Sequence, residues 1–271
     1  MILNVVLKMI LRSWWRNKVF FLVSVASLAL GLACTNLLMT YFVHEHGLEG
    51  RNPDRDRMFF LRQDDPMTEG KRVAFAGAEI PPQLKQSYAE VENFLRLGKL
   101  DLLYCKVNEQ KVEGDFKMLS ADTTLTNFFD YRTEEGSLSQ VLCQPGKVAL
   151  SEACARRLFG GKQAVGKQVE AHFRFGEVRT YEVAAVFKKR EQSLLQFDML
   201  IVHDPDFFWG GLTLLKLTPG TDAGYLADKL NEDKVPTLMP GQTKYYLDPL
   251  DAICSVSYTH LRAHETTLHL V

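Results

Sequence analysis

Residues Val19 to Val43, VFFLVSVASLALGLACTNLLMTYFV, run for 25 positions without a charged side chain. Their polar content is confined to Ser, Thr, Asn, Cys and Gly. As a helix the stretch spans about 37 Å, enough to cross a hydrocarbon core of about 30 Å with some tilt. Lipid offers the backbone no hydrogen-bond partners, so a segment this apolar must close its own bonds, which a helix does. The alternative is a buried helix of a large soluble core, but uncharged runs beyond about 18 residues mark membrane spans. A cleaved signal peptide fits less well, because its apolar core runs to about 7–15 residues and ends in small residues. This stretch starts only after Lys18 and ends Thr40-Tyr41-Phe42-Val43. The expectation is an uncleaved transmembrane helix over 19–43.

The flanks set its orientation. Lys8, Arg12, Arg16 and Lys18 precede the span with no acid among them, and His44, Glu45, His46 and Glu49 follow it. The positive-inside rule puts residues 1–18 in the cytoplasm and the chain after about residue 44 outside the inner membrane. Residues 2–17 have an apolar stripe and a basic one, with Trp14 and Trp15 between. They read either as an amphipathic helix lying on the cytoplasmic surface or as the anchor's flanking turn.

About 210 residues remain beyond the anchor, which is enough for one outer domain with its own core, or for two small lobes. A net charge of −1 gives no global signal for nucleic acid or for a basic membrane-coating protein. Of five cysteines, Cys34 lies in the span and reads as packing. Cys105, Cys143, Cys154 and Cys254 would meet an oxidising space. Their spacings fit no zinc or CxxC pattern, and one disulfide among them is open without a choice of pair.

The outer part mixes element types. Residues 44–57 (HEHGLEGRNPDRDR) read as a polar loop, and Met58–Arg62 as a first strand. Residues 64–77 are rich in turn formers. Pro81-Pro82 then open a helix over LKQSYAEVENFL on the spacing of Leu84, Tyr88 and Val91. Residues 94–119 alternate as strands. A short helix is expected at 122–129 with Asp122 as its N-cap. A strand over 147–150 leads to a helix, EACARRLFG, capped by Ser151 and stopped by Gly160-Gly161. A hairpin turns at Gly176-Glu177. Strands at 197–202, 213–217 and 244–247, and a helix at 223–231, complete the pattern. Without strict βα alternation the fold class is α+β, in two lobes. One lobe is formed by segments around 57–125 and 190–254, the other by the hairpin-rich middle.

No catalytic, cofactor-binding or metal site emerges. Gly160, Gly161, Gly166 and Lys167 invite a phosphate-loop reading, but that loop needs glycines between a strand and the start of a helix. Here they follow a helix and precede a strand. His172 and His203 are isolated and read as structural, while His44 and His46 read as linker residues. No GxSxG, HExxH or supported Cys/His pair is present. The chain reads as no enzyme.

A succession of short stretches then points to a family: DRMFFLR (56–62), PPQLKQSYAEVENFLRL (81–97), TNFFDY (126–131), VALSEACARRLFGGKQAVGK (148–167), LLQFDMLI (194–201), LLKLTPGTD (214–222) and YYLDPLDAI (245–253). In this order they resemble the N-terminal half of an ABC-transporter permease of the MacB/FtsX type, over about residues 1–254. The resemblance implies a first transmembrane helix followed by a MacB-like periplasmic core domain at 44–256. It also implies three further spans, dimerisation, a cytoplasmic ATPase partner and a possible periplasmic partner protein. The implied function is export or mechanotransmission, with no residue doing covalent chemistry. One span in the chain reads as a truncated fragment that would not transport by itself. A complete single-pass sensor or interaction module is the rival, and a membrane-tethered hydrolase is third. Residues 257–271, SYTHLRAHETTLHLV, do not continue the pattern and resemble translated adapter DNA. The His260/His264 spacing is set aside with them.

Overall fold

The computed structural model describes residues 18–46, 49, 52–64, 72–161, 163–174, 176–190, 193–204, 210–237 and 244–250. Two compact units divide the chain, Met1–Leu48 and Glu49–Val271. The expected surface helix at 2–17, Cys254 and the closing 257–271 stretch lie outside the described residues.

The first unit holds one helix, α1 (Lys18–His46). Over Lys18–Tyr41 its mean hydropathy is 2.0, and none of that length is buried against protein. Phe20, Leu32 and Leu37 stand open on different sides. An all-round apolar helix with nothing covering it suits lipid, since water would expel it. The helix continues three residues past the expected end at Val43, so the polar loop begins later than its composition suggests.

In the second unit a 3₁₀ turn (Arg55–Arg57) leads into β1 (Met58–Asp64), which the sequence foretells. Short strands β2 (Arg72–Val73) and β3 (Ala76–Gly77) occupy the stretch read as turns. Helix α2 (Ile80–Ser87) carries Pro81 and Pro82 in its first turn, but stops at Ser87 rather than running to Leu95. Tyr88 is already extended, at φ −121° and ψ 113°. From Val91 the burial alternates, with Val91, Asn93, Leu95 and Leu97 inward, and the segment is β4 (Val91–Val107). Leu84, Tyr88 and Val91 mimic a helical spacing because their inward positions fall on both sides of a helix-to-strand junction. The two-residue period of 91–97 decides the outcome.

Next come β5 (Gln110–Glu113) and β6 (Lys117–Ala121), then the single turn α3 (Leu125–Phe128). Thr124 rather than Asp122 precedes that turn, and no side chain caps it. The Asp122 carboxylate instead holds Arg96, with Nη2–Oδ1 at 2.6 Å. Elements β7 (Thr133–Gly136) and α4 (Leu138–Cys143), which the sequence pattern does not announce, precede β8 (Lys147–Ser151). Helix α5 (Glu152–Phe159) follows the expectation closely. Ser151 accepts the Cys154 N–H, and Gly160 ends the helix at φ 64°, a left-handed conformation that suits glycine. The hairpin β9 (Gln168–Phe173) and β10 (Val178–Phe187), then β11 (Met199–Val202), β12 (Gly210–Leu217), α6 (Ala223–Glu232) and β13 (Tyr245–Pro249), complete the α+β order.

The sheet runs β13-β1-β12-β4-β6-β11-β8-β10-β7. Its first four strands are antiparallel neighbours, and with α2 and α6 they make a split βαββαβ unit. The chain between β4 and β12 is inserted into that unit. There β4, β6, β11, β8, β10 and β9 close into a ring, because β9 pairs both with β10 and with the far half of β4. The lobe junction therefore lies inside β4. Both β6 and β11 belong to the ring, so the middle lobe takes in chain on both sides of the 125 and 190 limits expected for it.

Side-chain alternation sorts the core by sheet face. Met58, Phe60, Leu95, Leu97, Ala149, Leu200 and Leu214 meet α3, α4 and the aromatic trio Tyr131, Phe187 and Phe197. On the opposite face Leu61, Leu215 and Leu217 pack on α2 and α6. In the ring, Cys105, Met118, Val148, Val169, Val183 and Met199 pack with α5. Each fully buried side chain of this size contributes about 1.5–3 kcal/mol. Cys34, Cys105, Cys143 and Cys154 are free thiols.

Candidate functional site

The segment that begins the second unit carries alternating charge, Glu49, Asp54, Asp56 and Arg57, among Gly, Asn and Pro. Composition marks such a stretch as solvated loop. The fold instead fastens it to the rest of the domain at four successive points.

Glu49 is fully buried and adopts φ 55°, unusual for a residue with a Cβ. Its Oε1 accepts the Ser193 hydroxyl at 2.7 Å and the Leu194 N–H at 3.1 Å. Arg190 Nη1 lies 3.1 Å from Oε2. A buried carboxylate persists only with such partners, since an unpaired one costs several kcal/mol. Ser193 Oγ also lies 3.3 Å from Tyr131 Oη. Burial pushes the Tyr131 phenol well above its usual range, so it stays protonated as part of the network.

Asn52 is the second point. Its Nδ2 donates to the Phe128 carbonyl at 2.5 Å, and its Oδ1 accepts the Asp54 N–H at 3.0 Å. Asp54 is the third: Lys216 Nζ on β12 reaches Oδ2, and Arg57 Nη2 reaches Oδ1, both at 2.5 Å. Hydrogen bonds first from Lys216 and then from Arg57 hold the Asp54 carboxyl below the usual range. Arg57 is the fourth, donating through Nη1 to Glu92 Oε2 at 2.5 Å and to the Leu217 carbonyl at 2.9 Å. Lys216, itself nearly buried, lies 3.6 Å from Glu92 Oε1. Asp54, Arg57, Glu92 and Lys216 form a closed charge network that ties the turn before β1 to β4 and β12.

A second polar cluster sits near the lobe junction. Arg96 grips Asp122 with Nε–Oδ2 at 2.9 Å and Nη2–Oδ1 at 2.6 Å, and Nη1 donates to the Ala78 carbonyl at 2.7 Å. His203 is buried beside them, its backbone N–H bound to the Ala121 carbonyl at 2.7 Å. Burial, then the Arg96 charge, lower its pKa below 6.5. His172, the other isolated histidine, stacks on Tyr104 with ring centroids 4.2 Å apart and meets Glu170 Oε1 at 2.5 Å. The two histidines thus have separate sets of neighbours. Gly160 and Gly161 end α5 and Gly166 turns the chain before β9, while Lys167 Nζ lies over the Phe159 ring at 5.0 Å. Among the described residues no group of three or more His, Cys, Asp or Glu is placed to hold a metal.

None of these clusters joins a nucleophile to a base in a cleft. The first is built to hold a chain segment against a sheet. Sequence reasoning missed it, and the only signal was acid and base alternating directly after the apolar span.

The chain matches the family described as MacB-like periplasmic core domain over residues 21–233. No curated protein matches it. A solved domain described as that of a permease protein from Porphyromonas gingivalis is similar, with a TM-score of 0.60 at 20% identity, over 73% of this chain and 92% of that one. The periplasmic region of MacB from Actinobacillus actinomycetemcomitans gives 0.53 at 10% identity, over 79% of this chain and 95% of that one. The extracellular domain of the noncanonic ABC-type transporter YknZ from Gram-positive bacteria gives 0.50 at 14% identity, over 70% and 98%. At these identities the solved structures share the fold.

Proposed function

Because the chain belongs to the MacB-like periplasmic core domain family, and so is a permease-type component of an ABC transporter, we propose that its outer domain transmits ATP-driven motion across the inner membrane. In this reading residues 1–18 are cytoplasmic, 19–43 span the bilayer and 44–256 form the periplasmic domain. A cytoplasmic ATPase closes on nucleotide and tilts the helices of a permease pair. The outer domain follows as a body, and the work leaves the chain as displacement.

The observation that carries this reading is the fastening of the segment that starts at Glu49 and ends at Arg57 to the outer domain. A segment that must pass on displacement needs stiff connections, and Glu49, Asn52, Asp54 and Arg57 each reach a different part of the fold. The residues doing the work are structural ones, and the chemistry belongs to the ATPase.

The test uses the whole permease that carries this chain, with its ATPase, in nanodiscs. A fluorophore on Leu103→Cys, an exposed site on β4, reports height above headgroups that carry an acceptor. Cys34, Cys143 and Cys254 are replaced by Ser, and with Cys105 and Cys154 buried one accessible label site remains. Nucleotide is expected to shift the transfer efficiency, and Asn52→Ala with Asp54→Ala to blunt the shift while ATP hydrolysis stays within about twofold. A full shift in the double variant would remove the fastening from the mechanism. No shift in the parent would overturn transmission itself.

A further inference from the structure

The end of β10 and the start of β7 are neighbours, with Phe187 opposite Thr133 and the Lys188 N–H bonded to the Arg132 carbonyl at 3.1 Å. That pairing sets two basic side chains side by side. They stand at the rim of a groove of about 490 Å³, whose other walls are Asn52–Asp54 and Thr126–Asp130. Lys189 and Arg190 continue the same rim.

Most of the charge along the groove is already matched. Lys189 Nζ meets Asp198 Oδ1 at 2.6 Å, Arg190 faces Glu49, and Asp54 is held by Lys216 and Arg57. Arg132 and Lys188 differ. Both are exposed, and neither has an acidic partner within ion-pair distance among the described residues. Asp130 also lines the groove. Two adjacent cations repel one another, and an anion between them relieves that repulsion.

The shape and donors select the anion. A guanidinium presents paired N–H groups that match phosphate oxygens, and an ammonium adds a point charge beside it. Thr126 and Asn127 on the facing wall add neutral donors over the buried Phe128 and Phe129. About 490 Å³ is within the usual range for a small-molecule site. It exceeds a bare phosphate and suits one that bears a small organic group. Asn52 also follows His46, the last residue of α1, by only six positions in the chain. Lipid headgroups are therefore one ready source of such phosphates.

We propose that this groove binds a phosphate-bearing anion, with Arg132 and Lys188 as its principal contacts. The site rests on the groove alone, so it stands or falls independently of the transmission mechanism.

The test uses the full chain in an uncharged detergent. Dihexanoyl phosphatidylglycerol, inorganic phosphate and dihexanoyl phosphatidylcholine are titrated by calorimetry. An anionic probe is expected to bind at least about tenfold more tightly than the choline lipid. Arg132→Gln with Lys188→Gln should weaken that binding about tenfold or more, while Lys99→Gln with Lys117→Gln, at exposed positions on β4 and β6, changes it less than about twofold. The swap Arg132→Lys with Lys188→Arg, which keeps both charges, should retain most of the affinity. Melting temperatures of all variants confirm folding. Preference for phosphatidylglycerol over inorganic phosphate assigns the site to lipid, and equal binding assigns it to a soluble anion. Anionic probes binding no better than the choline lipid, or equal losses in both glutamine pairs, would overturn the proposal.

Discussion

His203 carries a pH dependence that follows from its place in the fold. Burial, and then the Arg96 guanidinium, favour its neutral form, while Asp122 and Asp204 oppose them more weakly. Its folded pKa lies below 6.5, so its contribution to stability is complete above pH 6.5. As the pH falls below that value, the unfolded chain takes up a proton that the folded one refuses, and stability drops toward the depressed folded pKa. The slope from one such group is at most about 1.4 kcal/mol per pH unit. Urea unfolding in detergent at pH 7.5 and 5.5 should show this loss, and His203→Gln should reduce it. Equal losses in parent and variant would show that other groups set the response. Reading His203 as structural from the sequence was a statement about isolation along the chain. Of its charged neighbours, Arg96 lies on β4 and Asp122 directly after β6, and nothing local announces either. Glu49 teaches the same lesson more sharply. It reads as a loop charge because its partners Arg190, Ser193 and Leu194 lie more than a hundred residues away.

Elements were legible where one period ran cleanly and a capping residue marked the end. Ser151 and Gly160 bracket α5, and Gly176 turns β9 into β10. The failures fall where two periods meet. Val91 completed an apparent helical spacing from Leu84, although Asn93, Leu95 and Leu97 already alternated as a strand. The exposed β7 and the six-residue α4 were too short to establish any period. One pairing has a tolerance that sequence pattern cannot reveal. Leu212 on β12 opposes Leu97 on β4, and a Cβ added at the adjacent Gly211 would stand 2.5 Å from the Leu97 carbonyl oxygen. That atom is backbone, so the two strands must separate to admit a methyl group. Gly211→Ala should cost about 1–3 kcal/mol by urea unfolding. A loss below a few tenths would mean that β12 and β4 shift at little cost.

At the scale of the whole molecule, the order of seven stretches was enough to suggest the family, and the matched family at 21–233 agrees. The ring was hidden, because β9 meets β4 through pairs such as His172 with Tyr104, which no local pattern encodes. The outermost pairing is longer in range still: β13, near the end of the described residues, lies against β1, with Leu247 opposite Leu61. Arg62 Nη1 seals that pair at 2.7 Å from Asp248 Oδ2 in a largely buried setting. Asp248→Ala should therefore destabilise the domain by about 3 kcal/mol. Lys106→Ala, which breaks the exposed contact with Glu170, should cost less than about 1 kcal/mol. Comparable losses by urea unfolding would deny the closing strand its weight. Because the first strand waits for the last, a ribosome must deliver nearly the whole outer domain before β1 gains its second neighbour. Until then Phe59–Gln63 presents a bare row of amides and carbonyls to any other nascent chain. The domain thus trades speed of assembly for a late lock, and its hazard during biogenesis is strand pairing between copies.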